Sequence, residues 1–486
     1  MSSITASLGA ARGRRRALTE RFADESLLVI VFATFAAVVG ASAAPFMVQP
    51  DSWLTFLGGR EIAAHGVPGR DSLTIMTDGH RWIDQQWLSQ LATYRLVAAV
   101  GLGVTVALFV LIVAAAYALA CMYARRTASA RSVVVFALPA LPLAYCAVRA
   151  QAFSYLIFVP FFAFLCRESR RPTRKVWLVL PVLAVWANVH GTVLVAAALV
   201  ALLGVIEAAQ RRFVRGGGLV VGALVSVLAT PYGLGILPYY RATMANPLFK
   251  KYITEWAPPT FVSVGGLPFF LTAALAIFLV ARRPRALSVF ELAALALTLV
   301  GALTAQRSMI WFAYAALVLL PRLLDQVWPA RRHSPRVRSL LAVLAATATG
   351  LALVLTLVTV GSASRRIDTA YPPPALHAVA AALAADPKAR VLADDRTSDW
   401  LLYKLPQLRL RLAFDGRWEV LSQPQFALAR NYVTQAATGV DRLARGYQVF
   451  VVDRTWHPAL ARWYAGRRDL RVLYRGDRVA VYEKRL

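Results

Sequence analysis

The chain has 486 residues, 58% of them hydrophobic, and a formal net charge of +29. No soluble domain of this size hides so much apolar surface in one core, so the composition predicts a polytopic α-helical membrane protein. The positive charge is divided among short loops between apolar runs. That pattern sets membrane orientation and argues against nucleic acid as a partner.

About eleven apolar runs follow one another along the chain, and most have a length typical of membrane spans. Their approximate ranges are 27–45, 103–124, 132–148, 152–166, 176–189, 191–209, 218–236, 265–281, 286–303, 309–323 and 339–361.

Residues 1–26 are polar and basic and are interpreted as a cytosolic tail. With this tail inside, the tail and the cytosolic loops carry most of the Lys and Arg residues that precede residue 362, as the positive-inside rule requires. We therefore predict a multi-pass protein of the cell membrane with a cytoplasmic N-terminus. Ala41-Ser42-Ala43 resembles a signal-peptidase site, but the basic region before it is long for a signal peptide, which favours a retained helix.

The composition changes after residue 361, so residues 27–361 are predicted to form the transmembrane domain and 362–486 an extracytoplasmic soluble domain. Apolar alternation and turn residues in the second segment predict a small three-layer α/β fold. Its predicted elements are strands at 389–393, 408–414 and 447–453, helices at 399–405 and 423–437, and a closing hairpin at 470–484 with Gly476-Asp477 at its turn.

The loop at residues 46–90 is polar and aromatic, and it follows the first apolar run directly. We predict that it forms one wall of a catalytic cleft on the extracytoplasmic face. Its candidate residues are the acids Asp51, Glu61, Asp71 and Asp84 and the aromatic residues Trp82 and Trp87.

Other predicted extracytoplasmic span ends and loops carry Arg149, His190, Glu255, Trp256 and Arg307. Placing an ionisable side chain at the edge of a membrane span costs free energy, and such residues are usually functional. A carboxylate beside a partly dry groove can serve as a general base, and arginines suit a phosphate group. The cytosolic loops contain no Gly-rich phosphate loop, so an activated substrate used outside would have to be carried by a lipid.

Several short blocks, taken in order, resemble integral-membrane glycosyltransferases of the GT-C superfamily, in their bacterial, protein-mannosyltransferase-like branch. The blocks are Asp51-Ser52-Trp53, Gly58-Gly59, Gly66-Val67-Pro68, Asp71, Trp82, Trp87-Leu88, 149–154, Asn188-Val189-His190-Gly191, Pro231-Tyr232-Gly233, Glu255-Trp256 and 415–419. Many relatives place a second acid beside the first, whereas this chain has Ser52.

The resemblance implies a polyprenyl-phosphate sugar donor and an inverting displacement, with an acid of the first external loop as the base. By position that acid is Asp51. Glu61, Asp71, Asp84 and Glu255 are secondary acids. No cofactor is expected, and whether a divalent metal is held stays open. The acceptor is a glycan, lipid or protein of the membrane environment.

From the residues alone, Arg149, His190 and Arg307 are candidate ligands of the donor phosphate, and Trp82, Trp87 and Trp256 are candidate sugar-binding residues. Structural alternatives stay open for each of them, namely interfacial anchoring for the tryptophans, snorkelling for the arginines and packing for the histidine. Asp51 alternatively caps a helix that begins at Ser52. The alternative functions are a lipid or envelope-polysaccharide transporter or flippase and a non-catalytic partner in envelope assembly.

Overall fold

The computed structural model describes residues 25–37, 48–141, 147–329, 334–434 and 439–485. Within these ranges the chain is mostly α-helical, and a four-stranded sheet lies near its C-terminus. The helices up to residue 370 are α1 Glu25–Ala37, α2 Pro50–His65, α3 Trp87–Arg125, α4 Ala130–Ala140, α5 Gln151–Arg170, α6 Val179–Ala187, α7 Val193–Ala209, α8 Phe213–Leu228, α9 Ile236–Met244, α10 Pro247–Tyr252, α11 Gly266–Arg282, α12 Val289–Thr304, α13 Met309–Leu319, α14 Pro321–Val327 and α15 Pro335–Ala370. The later elements are α16 Pro373–Ala385, β1 Val391–Ala393, α17 Ser398–Lys404, α18 Gln423–Thr434, α19 Gly439–Ala444, β2 Val449–Asp453, α20 Pro458–Ala465, β3 Leu470–Arg475 and β4 Val479–Lys484.

Each predicted apolar run overlaps one or more helices, although the runs 218–236 and 309–323 are broken by bends; parts of the runs 27–45 and 132–148 lie outside the described residues. Three described helices are long and apolar enough to cross a membrane by length and composition: α3, α5 and the Pro335–Val358 part of α15. Two bent helix pairs raise this number to five if each pair is one span. The remaining apolar helices are shorter, so the count of about eleven spans stays a prediction.

Helix α2 is the first element of the loop at 46–90, and it packs closely against α3. A Cβ atom on Gly58 would lie 1.7 Å from Oε1 of Gln90, and one on Gly59 would lie 2.3 Å from the Gln90 carbonyl oxygen. Gln49 is the N-cap of α2 and forms a capping box with Ser52. Asp51 therefore lies in the first helical turn, and the alternative in which it caps the helix is wrong.

Helix α3 is interrupted at Gly101, where φ is +81°. Residues other than glycine rarely adopt this left-handed backbone conformation, so Gly101 allows the helix to break here. The segment 87–100 packs beside α2, and residues 102–125 carry the long apolar run.

The sheet has the strand order β1-β2-β4-β3, with β1 parallel to β2 and the other pairs antiparallel. Its two faces belong to different cores. Alternate residues of the strands pack with α16, α17 and the membrane helices on one face, and with α18, α19 and α20 on the other. The predicted three-layer arrangement and closing hairpin are therefore present.

The predicted strand at 408–414 is wrong. This segment is extended only near Leu412, which forms isolated bridges with Thr74 and with Val391 of β1. The backbone N–H groups of Ile75 and Met76 donate to the carbonyl oxygens of Leu412 and Ala413 at 2.8 and 3.0 Å. The apolar alternation is real, but the loop at 46–90 occupies part of the hydrogen-bonding edge that another strand would need.

Candidate active site

Four of the predicted site residues form one continuous chain of ion pairs, which we call the open cluster: Asp51, Arg149, Glu255 and Arg307. An Nη atom of Arg149 lies 2.5 Å from Asp51 Oδ2, and its other Nη atom lies 3.3 Å from Glu255 Oε2. Arg307 approaches the second Glu255 oxygen at 3.6 Å. The side chains remain between 21% and 50% exposed, so the cluster is open to a ligand.

The open cluster is assembled from segments far apart in the sequence. Asp51 comes from the first turn of α2, and Arg149 from the turn that precedes α5. Glu255 lies in a short 3₁₀ turn after α10, and Arg307 in another before α13. The Arg307 guanidinium also lies 4.5 Å from the ring centre of Trp256, a cation–π distance.

The two arginines set the charge of Glu255. Burial alone would raise the pKa of Glu255, but the positive charges of Arg149 and Arg307 outweigh it and lower the pKa to about 2. The carboxylate therefore stays ionised at neutral pH and holds both guanidinium groups in place.

His190 lies in the turn between α6 and α7 and is buried beside the open cluster. Burial and the positive charges of Arg307 and Arg149 lower the pKa of His190 to about 3, so its imidazole is neutral at pH 7. The backbone N–H of Thr192 donates to Nδ1 at 3.2 Å, which assigns the ring proton to Nε2. His190 can therefore donate one hydrogen bond without carrying charge.

A second ionic group, the sealed cluster, consists of Asp71, Arg417 and Asp415. Arg417 donates to Asp71 Oδ1 at 2.7 Å and to Asp415 Oδ2 at 2.6 Å. All three side chains are at most 4% exposed, and the guanidinium lies 4.3 Å from the ring centre of Trp82. This cluster joins the loop at 46–90 to the C-terminal segment.

Further buried acids lie near the sealed cluster, and sequence reasoning did not select two of them, Asp399 and Glu419. Burial and the Asp415 carboxylate raise the pKa of Asp399 well above its ordinary value, and Asp51 adds to this effect. Burial raises the pKa of Glu419 to about 7, with contributions from the Asp415 and Asp51 carboxylates. Both carboxyl groups therefore lie near enough to Asp51 for its charge to affect their pKa.

Asp84 lies close to Glu419. Burial and the negative charge of Glu419 raise the pKa of Asp84 to about 7. Its backbone N–H donates to the Tyr232 hydroxyl at 2.9 Å, and that hydroxyl donates to the Pro68 carbonyl at 2.8 Å. Glu419 could have been selected from the sequence, because it ends the block at 415–419 that resembles GT-C glycosyltransferases.

Three predicted site residues make other contacts instead. Glu61 pairs with Arg409 and with Arg60, nearly three turns along α2 from Asp51. Trp82 is buried against Arg417, as described above, and the Trp87 indole donates to Asn188 Oδ1 at 2.7 Å. Of the predicted tryptophans, Trp256 is the one in contact with the open cluster among the described residues.

One group of potential metal ligands occurs among the described residues. Single ligand atoms of Asp394, Asp395 and His457 all lie within 4.8 Å of one another. Asp395 Oδ1 lies 2.8 Å from His457 Nε2, and Asp394 accepts backbone N–H groups of Arg396 and Thr397 at 2.9 Å. Because protein donors already satisfy these groups, we assign them to the packing of the sheet edge.

No family model matches this chain, and no curated protein matches its sequence. Solved structures do match, among them the crystal structure of ArnT from Cupriavidus metallidurans bound to undecaprenyl phosphate. The two chains are 17% identical, the match covers 94% of this chain and 97% of ArnT, and the TM-score is 0.50. The likeness confirms the GT-C fold expected from the sequence, and the protein-mannosyltransferase-like branch stays a prediction.

Proposed function

We propose that this GT-C-fold chain is a membrane glycosyltransferase. It transfers a sugar from a polyprenyl-phosphate donor to an acceptor on the extracytoplasmic face, with inversion of configuration. The observation that carries the proposal is the direct contact of Asp51 with Arg149, which links a candidate base to two guanidinium groups in one open cluster. The bound undecaprenyl phosphate of the similar ArnT structure supports a lipid-borne phosphate as ligand.

The reaction is a single displacement at the anomeric carbon. Asp51 accepts the proton of the acceptor hydroxyl while that oxygen forms the new bond to the anomeric carbon. The bond between this carbon and the phosphate oxygen breaks on the opposite side, and its electron pair stays on the phosphate. General-base assistance of this kind contributes about 10²- to 10⁴-fold to rate.

Arg149 and Arg307 bind the phosphate on which negative charge develops. In the structure both guanidinium groups are held by Glu255, so they are pre-arranged for a planar, bidentate contact with phosphate oxygens. Binding of the donor exchanges the contact of Arg149 with Asp51 for one with phosphate and leaves the carboxylate available to the acceptor. The neutral His190 adds a hydrogen bond from Nε2, and Trp256 supports Arg307.

The proposal is tested with the full-length protein purified in detergent. Transfer is measured from a panel of radiolabelled undecaprenyl-phosphate sugars to an envelope fraction that retains its lipids, and undecaprenyl phosphate binding is measured separately. Asp51→Asn keeps the side-chain shape and removes the base, so turnover is expected to fall about 10²- to 10⁴-fold with binding retained. Asp78→Asn, at an exposed acid of the same loop, is the matched control and keeps full activity.

Two results would contradict the proposal. Equal transfer by Asp51→Asn and the unaltered protein would remove Asp51 as the base. Undecaprenyl phosphate binding without transfer from any sugar in the panel, combined with lipid movement across reconstituted membranes, would instead indicate a flippase.

A further inference from the structure

A separate cleft of about 460 Å³ lies where helix α15 meets the hairpin of the C-terminal sheet. This volume is within the range of sites that bind small molecules or lipid headgroups. It is lined by Arg366, Thr369, Ala370, Pro372, Tyr474, Asp477 and Arg478. None of these residues belongs to the open cluster.

The position of the cleft corresponds to the edge of a membrane. The apolar run of α15 extends to residue 361, and the side chains of its Pro335–Val358 part are mostly exposed, as on a lipid-facing helix. Arg366 lies five residues beyond this run, about 7.5 Å along the helix axis. The headgroup layer extends roughly 5–8 Å beyond the hydrocarbon, so this arginine lies at headgroup depth.

The charged groups of the cleft are available to a ligand. Arg366 and Asp477 line the same space, yet neither forms a hydrogen bond or ion pair through its side chain with any residue that the structure describes. Arg478 has its Nε atom on Asp453 at 3.0 Å, and this contact fixes the guanidinium at the cleft wall. Tyr474 adds a half-buried ring and hydroxyl.

We propose that this cleft binds the headgroup of a phospholipid, with the phosphate on Arg366 and Arg478 and a hydrogen-bond donor of the headgroup on Asp477. An arginine alone would suit any anion. The unpaired Asp477 carboxylate on the same cleft disfavours a bare anion and favours a headgroup that also carries hydroxyl or ammonium protons. A lipid held here anchors the C-terminal sheet to the membrane surface, and this role is independent of sugar transfer.

The experiment uses full-length protein, stripped of lipid in detergent and mixed with equal amounts of phosphatidylethanolamine and phosphatidylcholine. Retained lipid is identified by native mass spectrometry. Both lipids carry a phosphate and have no net charge, but only phosphatidylethanolamine has ammonium protons to donate. We expect the unaltered protein to retain phosphatidylethanolamine about tenfold in preference, a difference of about 1.4 kcal/mol.

Substitutions at Arg366 and Asp477 test the contact with the phosphate and the contact with the headgroup donor separately. Arg366→Gln is expected to lower retention of phosphatidylethanolamine about tenfold, and Arg366→Lys to restore part of it. Asp477→Asn is expected to keep lipid retention but reduce the preference over phosphatidylcholine. Arg365→Gln, at the exposed neighbour that does not line the cleft, is the control and leaves both unchanged.

The source of the phosphate is tested in a separate arm with 10 mM inorganic phosphate. Failure of phosphate to displace phosphatidylethanolamine supports the lipid. Displacement by phosphate, or equal retention by the unaltered protein and Arg366→Gln, would overturn the proposal. Because the readout is bound lipid and not transferred sugar, failure here leaves the proposed glycosyltransferase activity standing.

Discussion

The open cluster and the sealed cluster contain the same chemical groups, arginines between carboxylates, but they differ in their access to solvent. Arg149 is 21% exposed and its partner Asp51 50% exposed, whereas Arg417 is 2% exposed and Asp71 fully buried. In the sealed cluster every charge has a fixed partner inside the protein, so its contribution is to structure. The open cluster can exchange partners with a ligand, which makes it suitable for chemistry.

The largest expected effect is a loss of folding stability when the sealed cluster is broken. Arg417→Leu leaves the Asp71 and Asp415 carboxylates buried without their cation, and such a loss costs about 3–5 kcal/mol. The unfolding midpoint of the purified protein should fall strongly. Arg471→Gln breaks the exposed pair with Glu483 and is the control, with an expected cost of about 0–1 kcal/mol. Similar midpoints for the two variants would mean that the sealed cluster does not stabilise the junction.

The next effect appears in activity. Arg149→Ala removes a group proposed to bind the leaving phosphate, and each such group contributes about 3–4 kcal/mol, so turnover should fall at least about a hundredfold. The unfolding midpoint should change little because the Arg149 pairs are partly exposed. Arg149→Lys retains the charge and should recover part of the rate, and Arg95→Ala on the exposed surface of α3 should have no effect. A stability loss without a loss of turnover would place Arg149 with the structural cluster.

A third prediction concerns Asp84, whose buried carboxyl has its pKa raised to about 7. Between its ordinary pKa near 4 and this value the folded protein binds the extra proton, so this group's contribution to stability is present at low pH and is lost as pH rises. Asp84→Asn removes the titrating carboxyl group, so the variant does not lose this stability as the pH rises. The variant should therefore gain stability relative to the unaltered protein between pH 5 and pH 8, measured as the difference in unfolding midpoints. A difference that does not change with pH would exclude a buried, protonated Asp84.

The smallest effect is expected at Trp256. Trp256→Phe weakens the cation–π contact that supports Arg307, worth about 0.5–1 kcal/mol at an exposed site, so the donor KM should rise about two- to fivefold. Trp456→Phe alters a similar contact with Arg396 in the C-terminal segment and serves as the control. An equal change in KM for both variants would show that the effect is not local to the open cluster.

Much of the fold was predictable from the sequence, because apolar runs are the strongest local signal for helices. The strand at 408–414 was predicted wrongly because alternation cannot reveal that its hydrogen bonds go to a loop more than 330 residues earlier. The span count depends on helices of 9–17 residues, whose length alone does not decide whether they cross a bilayer.

The site was predictable to the extent that its residues lie at the ends of helices. Asp51, Arg149, Glu255 and Arg307 were selected by that rule, and the structure brings them into contact. The pairing of Asp71 with Arg417 spans 346 residues and leaves no local pattern. A sequence pattern also cannot tell an open tryptophan from one buried against a guanidinium, as the different surroundings of Trp256 and Trp82 show.

The alternation of side chains along β2 has a practical consequence for cutting the chain. Val449 and Val451 pack into the core that continues among the membrane helices, while Phe450 and Val452 point into the core beneath α18 and α20. A fragment expressed from residue 362 onward would thus present one whole apolar side of its sheet to water, and we expect it to aggregate rather than fold. The composition changes near residue 361, but the packing of side chains continues across this position in one core.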